Sequence, residues 1–243
     1  MRMLTFGKRC AKEILRDPLN LAFGLGFPVV LLLLLSAIQA NIPVSLFEIE
    51  SLTPGITVFG LSFMTLFSAT LVARDRETAL LQRLYTSPLT AADFILGYML
   101  PLVPIGIAQS AVCYIVAILF GMPVTVNILY AIVMLIPFGI FQIALGLLCG
   151  SILNVKQVGG ICGALLTNLS GWLSGVWFDL DLVGGAFRKL ANWLPFVHGV
   201  ELERAVVMGD YSGIGVHICF VTLYACVAVV GAVLLFLGQM KRQ

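Results

Sequence analysis

The placement of charge constrains this chain more than any other feature. Five long stretches contain no Asp, Glu, Lys or Arg: residues 18–47, 51–73, 94–155, 157–178 and 211–240, together 167 of 243 residues. A helix rises about 1.5 Å per residue, so about 20 apolar residues cross the roughly 30 Å hydrocarbon core of a bilayer. Four of the stretches have the length of a single crossing. The third has 62 residues, about 93 Å as one helix, and Gly121-Met122-Pro123 is a turn signal within it. It therefore reads as two crossings. The expected spans are 20–40, 54–73, 97–120, 127–150, 158–178 and 215–238.

Composition agrees. Charged residues are 11% of the chain and hydrophobic ones 60%, against about 25% and 45–50% in soluble domains. So few charges cannot cover a soluble surface, and so apolar a chain cannot stay disordered. A β-barrel needs strands of roughly 10 residues with alternating polarity, and Val29–Leu35 does not alternate. The first apolar run is too long, and starts too far behind a charged segment, to read as a secretory signal.

Sorting the charges gives an orientation. With the N-terminus inside, the inner segments hold 11 Lys and Arg and the outer ones 3, while the acids divide 5 inside and 7 outside. The positive-inside rule then puts both termini in the cytoplasm. A net charge of +2 predicts no nucleic-acid partner, because the asymmetry is topological. Of the six cysteines, five fall in expected spans and Cys10 does not, so no disulfide framework is expected. The fold class is an all-α integral membrane protein with six spans, forming a single transmembrane domain over 1–243.

Three segments outside the spans are informative. Residues 3–17 place Met3, Phe6, Gly7, Cys10, Ala11 and Ile14 on one helical face and Lys8, Arg9, Lys12, Glu13 and Arg16 on the other. This predicts an amphipathic helix lying in the inner interface, ended by Asp17-Pro18. Between spans 2 and 3, residues 74–97 alternate Arg76, Glu77 and Arg83 with Leu80, Leu81, Leu84 and Tyr85 at helical spacing. They predict a short helix over about 76–86. Thr90 and Asp93 then form a capping-box-like start for span 3. The outer segment 179–213 is too apolar for a free loop and predicts short helices on or within the outer leaflet. One of them covers Phe196–Met208 and is ended by Gly209.

The pattern Arg-x-Arg-Glu-Thr, Leu-x-Arg-Leu-Tyr-Thr-Ser-Pro-Leu-Thr and Phe-Ile-Leu-Gly in residues 74–97 resembles the loop of ABC transporter permeases of the type-2 exporter family. In that family an R-E-x-G-T-x-E-x-L-x-x-(T/S)-P-L segment precedes a span that opens on a Leu-Gly step. Here Thr78 directly follows Glu77, and Gln82 replaces the later Glu. The amphipathic start, the six spans and Trp193-Leu194-Pro195 agree, so the resemblance covers essentially the whole chain.

The resemblance implies a membrane dimer, of two copies or two related subunits, above two ATP-hydrolysing subunits. The loop helix would be the coupling helix that fits a groove on the ATPase, with Arg76, Glu77 and Arg83 making polar contacts and Leu80, Leu81 and Leu84 the apolar ones. The cavity would lie on the dimer axis, lined mainly by spans 2 and 5, with the outer helices capping its exit. The expected cargo is a hydrophobic or amphipathic molecule such as a drug, a peptide antibiotic or a lipid. The alternatives are a lipid-linked polysaccharide, or a non-transporting anchor for an ATPase in signalling or immunity. The expected location is a plasma membrane, in a bacterium the inner one.

No G-x-x-x-x-G-K-(S/T) phosphate loop occurs in the chain, so ATP and Mg are expected on the partner and no cofactor on this chain. Phe59, Phe63 and Phe67 recur every fourth residue on span 2 beside Met64, while Asn168 and Trp172 share a face of span 5. They read either as a core or lipid-facing stripe or as the cavity wall. Gly146/Gly150, Gly159/Gly163 and Gly171/Gly175 have G-x-x-x-G spacing, which permits close helix approach within the chain or at a dimer interface. No charge lies deep in an expected span, which argues against an ion-driven carrier. His198 and Glu201 could share a metal with Glu203 or His217. With two histidines in the chain the segment reads better as the exit cap, and no metal is expected.

Overall fold

The computed structural model describes residues 2–41, 48–78, 80–81 and 89–241, which are helical throughout with no strand among the described residues. Helix α1 (Arg2–Leu15) is amphipathic, as its pattern predicts, and buries Phe6 and Cys10. Asp17 then caps α2 (Pro18–Gln39) by accepting from the Asn20 amide, with Pro18 at the first turn, where its missing N–H costs nothing. The second crossing is α3 (Ile49–Leu61) followed by α4 (Phe63–Glu77). Between them the Ser62 hydroxyl donates to the Phe59 carbonyl at 2.6 Å, a side-chain bond that competes with the helical ladder.

Helix α5 (Ala91–Leu119) opens on the Thr90–Asp93 capping box that the sequence predicts. The fourth crossing, α6 (Val126–Met134) and α7 (Ile136–Ile152), is interrupted at Leu135. Pro137 lies just beyond and cannot donate to the ladder.

Among the described residues, five helical runs are long and apolar enough to cross a membrane: Asn20–Gln39, Ile49–Glu77, Ala91–Leu119, Val126–Ile152 and Ile214–Met240. The segment expected as a span over 158–178 differs. It begins as α8 (Val155–Val158), widens into a π-helix (Gly159–Leu166) and ends as α9 (Thr167–Trp172). The chain leaves the helix there, and Gly175 turns at φ +72°, a left-handed conformation that glycine adopts without steric cost. Gly171 and Gly175 are therefore not a helical G-x-x-x-G pair, which corrects that reading.

Beyond it come a 3-10 turn (Leu180–Leu182), α10 (Gly185–Asn192) and α11 (Pro195–Met208). Helix α11 ends at Gly209 with φ +75°, and α12 (Ile214–Met240) closes the chain.

The Ile49–Glu77 run is the centre of the molecule. In its most apolar window 83% of residues are buried, against 17% for Asn20–Gln39 and 22% for Ile214–Met240. Its closest neighbour is α7. A Cβ on Gly146 would meet the Thr65 carbonyl oxygen at 2.2 Å, and one on Gly150 the Ala69 carbonyl oxygen at 2.4 Å. The bare backbones bring polar groups within reach across the contact. The Thr65 hydroxyl donates to the Gln142 carbonyl at 2.9 Å, and the Ser68 hydroxyl to the Ile143 carbonyl at 2.9 Å.

Candidate functional site

Helix α4 ends in four consecutive charged residues, Arg74, Asp75, Arg76 and Glu77. Successive side chains on a helix point about 100° apart, so four in a row face four directions, and each meets a different element. Arg74 donates to Asp17, the cap of α2, at 3.0 Å. Asp75, 1% exposed, accepts both terminal nitrogens of Arg9 on α1 and the Tyr98 hydroxyl on α5, the latter at 2.7 Å. Arg76 donates to the carbonyls of Gly150 at 2.9 Å and Leu153 at 3.1 Å, at the end of α7. Glu77 accepts from the Val155 amide at 3.0 Å, the first residue of α8. The last two contacts place a cation at a helix C-terminus and an anion at an N-terminus, where the macrodipole favours each.

Arg9 also pairs with Glu13 at 2.6 Å and stands 5.9 Å over the Phe6 ring. Burial would lower the Arg9 pKa, but its bonds and charge pairing with Asp75 outweigh burial and hold it above its usual value. Burial pushes the Cys10 thiol up to about 12. Burial, and then the charge of Asp75, raise the Glu13 carboxyl. The loop end of the central span is therefore fixed to α1, α2, α5, α7 and α8 at once.

Arg76 and Glu77 thus lie in the last turn of α4, which runs unbroken to Glu77, and not in a separate helix over 76–86. Their side chains grip this chain's own α7–α8 corner. Leu80 is partly buried and Leu81 buried, while Arg83 and Leu84 lie outside the described residues. Sequence reasoning places Arg9 on a helix face and Asp17 at a helix end but does not join them to Arg74, Asp75 or Tyr98. Their pairing spans up to 66 positions, and the single local signal is an acid set between two arginines.

The six cavity candidates differ in exposure. Met64 is fully enclosed, and Phe59 and Phe67 are buried. Phe59 packs on Trp177 with ring centroids 5.2 Å apart, and on Phe63 at 6.1 Å. Phe63 is partly exposed; Asn168 and Trp172 are exposed. Among the span-5 glycines, Gly171 lies against Phe59 and Trp177 and Gly163 against Leu66, while Gly159 faces open space.

At the opposite end, Arg204 donates to the carbonyls of Ser51 and Gly175, each at 3.2 Å, and so ties α11 to α3 and to the turn after α9. Burial lowers its pKa. Arg204, Arg188, Glu201, Asp179 and Trp177 line a cavity of about 530 Å³. Glu203, counted from sequence among the outer-loop acids, is completely buried. The six cysteines are free.

A helical, multi-pass membrane protein, with a buried central span locked at one end to an amphipathic helix, is the class that this fold and site define. Residues 2–208 match the ABC-2 type transporter family. The chain belongs to that family and is the permease subunit of an ABC transporter. No curated relative matches it. The family implies, in general terms, an ATPase partner.

Proposed function

We propose that this permease is the membrane half of an ATP-driven exporter and works by alternating access. The whole chain, 1–243, acts as one domain with both termini in the cytoplasm and Val155–Trp172 as a sixth, π-widened span. Two copies or two related subunits pair in a bacterial inner membrane. ATP and Mg bind on separate ATPase subunits, and this chain carries no cofactor. The cargo is a hydrophobic or amphipathic drug, peptide antibiotic or lipid, taken up against Phe63, Asn168 and Trp172 with Phe59, Met64 and Phe67 backing the wall. The short helices of 179–213 cap the outer exit.

The fan of contacts around Asp75 carries this reading. An ATPase that pulls on a loop can move a span only if the root of the loop is rigid. Here the root is bonded to five helices, so displacement of the loop moves a bundle as a body. Leu80, Arg83 and Leu84 form the docking segment just beyond that root, with Leu81 holding it to the chain's own core, while Arg76 and Glu77 transmit its movement to α7 and α8. Polysaccharide export, or anchoring without transport, would use the same lever.

The test separates docking from transmission. Tagged permease is isolated from its native membranes with its ATPase, and transport is measured after reconstitution. Leu84→Asp should lose the co-purifying ATPase while remaining inserted. Asp75→Ala should keep the ATPase but lose at least about tenfold in transport, because the bonds of Arg9 and Tyr98 to the root of the loop are both lost. Wild-type transport by both variants would overturn the reading. Cargo-independent hydrolysis with no transport of any lipid or amphiphile would favour the anchor.

A further inference from the structure

His198, Glu201 and His217 each place one ligand atom within 4.8 Å of the other two. The first two are one turn apart on α11, and His217 is in the first turn of α12. His198 Nδ1 lies 2.9 Å from His217 Nδ1, which lies 3.5 Å from Glu201 Oε2. The other ring nitrogen of His198, Nε2, is 3.0 Å from the Asn192 carbonyl. A carbonyl only accepts, so Nε2 carries the hydrogen and Nδ1 presents its lone pair to His217. An outer-shell bond of this kind fixes the tautomer of a metal-binding histidine. The ring is also held by Phe220, centroid to centroid 4.3 Å. Arg188 lies 3.7 Å from Glu201 Oε1, which leaves Oε2 as the oxygen facing His217.

We propose that these three side chains form a site for a divalent transition metal of the zinc type, joining α11 to α12. At bond lengths of about 2.0–2.2 Å, a tetrahedral ion holds its ligands about 3.3–3.5 Å apart. The observed 2.9 and 3.5 Å need a small opening between the two imidazoles, and the third pair, His198 and Glu201, lies within 4.8 Å and draws in on the ion. Without an ion, one proton sits on His217 Nδ1 between the facing nitrogens; on binding, His217 carries that hydrogen on Nε2 instead and the ion takes its place. Two imidazoles and one carboxylate suit zinc, copper or nickel, whereas magnesium and calcium prefer oxygen ligands throughout. Three protein ligands leave a position open. Glu201 also lines the 530 Å³ cavity, so occupancy would set the stance of the helix that walls it. The sequence leaves Glu203 and His217 as alternative third ligands and reads against a metal; the fold decides between them, bringing His217 in from a separate helix and turning Glu203 toward Tyr114.

The test uses tag-free, chelator-stripped full-length protein in detergent, titrated with Co2+ and then Zn2+. One Co2+ per chain should give the visible bands of a four- or five-coordinate nitrogen-ligated ion, and Zn2+ should displace it and raise the melting temperature. His217→Ala and Glu201→Gln should each weaken binding by at least about tenfold and remove the thermal shift, read against each variant's own metal-free melting. Binding by His217→Ala equal to wild type overturns the site, as does Co2+ that stays octahedral in the wild-type protein. The wild-type spectrum decides the matter even where a variant fails to fold.

Discussion

Glu203 shows how far a single residue's setting can depart from what its charge implies. Its side chain is fully buried on α11, with the Tyr114 hydroxyl donating to Oε1 at 2.6 Å and Oε2 without a protein partner among the described residues. Burial pushes the carboxyl up to about 8, although the tyrosine bond opposes this. The folded state therefore holds a proton that the unfolded chain releases near 4.5. Stability from this group is fully present below about 4.5 and is lost as pH rises to about 8, a contribution on the order of a few kcal/mol. Glu203→Gln keeps the neutral shape and cannot ionise. Melting of the detergent-solubilised variant should match wild type near pH 5, exceed it near pH 9 and lack the decline between. An identical pH profile for the two proteins would show that Glu203 ionises without cost. Sequence places Glu203 among outer acids because a charge count registers sign and order. It cannot register that α11 turns this side chain inward beside Leu202 and Val206, both buried.

Helices were far more legible than their contacts. The charge-free stretches locate the five long apolar helical runs among the described residues, and the caps at Asp17, Thr90 and Gly209 stand where their side chains or backbone freedom require. The π-helix of Gly159–Leu166 and the breaks at Ser62 and Leu135 leave no periodic signature, because their flanks stay equally apolar. The glycine pairs left chain-internal and dimer packing open. At Gly146 and Gly150 the partner is α4 of the same chain. A larger side chain must push α7 off α4, and the obstacle is the Thr65 and Ala69 backbone, which cannot rotate away. Gly146→Leu should cost about 1–3 kcal/mol or more, whereas Gly159→Ala, which meets open space, should stay close to wild type. Melting curves and the yield of folded protein in detergent check both. Equal tolerance at the two positions would mean the α4–α7 contact is looser than drawn.

At the scale of the whole molecule, the outer surface of the bundle is uneven in a way that lipid alone does not account for. Exposed Val227 and Val230 on α12 suit acyl chains. The face of the π-widened segment carries Leu165, 54% exposed, and Trp172, 53% exposed, together with exposed Asn168, whose amide donates to the Ala164 carbonyl at 2.7 Å. A polar amide facing hydrocarbon is unfavourable and normally turns toward another helix or water. The same segment is anchored through Val155 to Glu77, at the root of the loop proposed to receive the ATPase. A dimer axis along this face would let two copies of the lever act on one shared cavity. Single cysteines test this in native membranes, in a background with exposed Cys219 and Cys226 replaced by serine. Asn168→Cys should form an oxidant-induced crosslink to a second permease chain, its own copy or a related one, and Val227→Cys should not. Crosslinking through Val227 with none through Asn168 would move the axis to α12, and the cavity assignment of Phe63, Asn168 and Trp172 would fall with it.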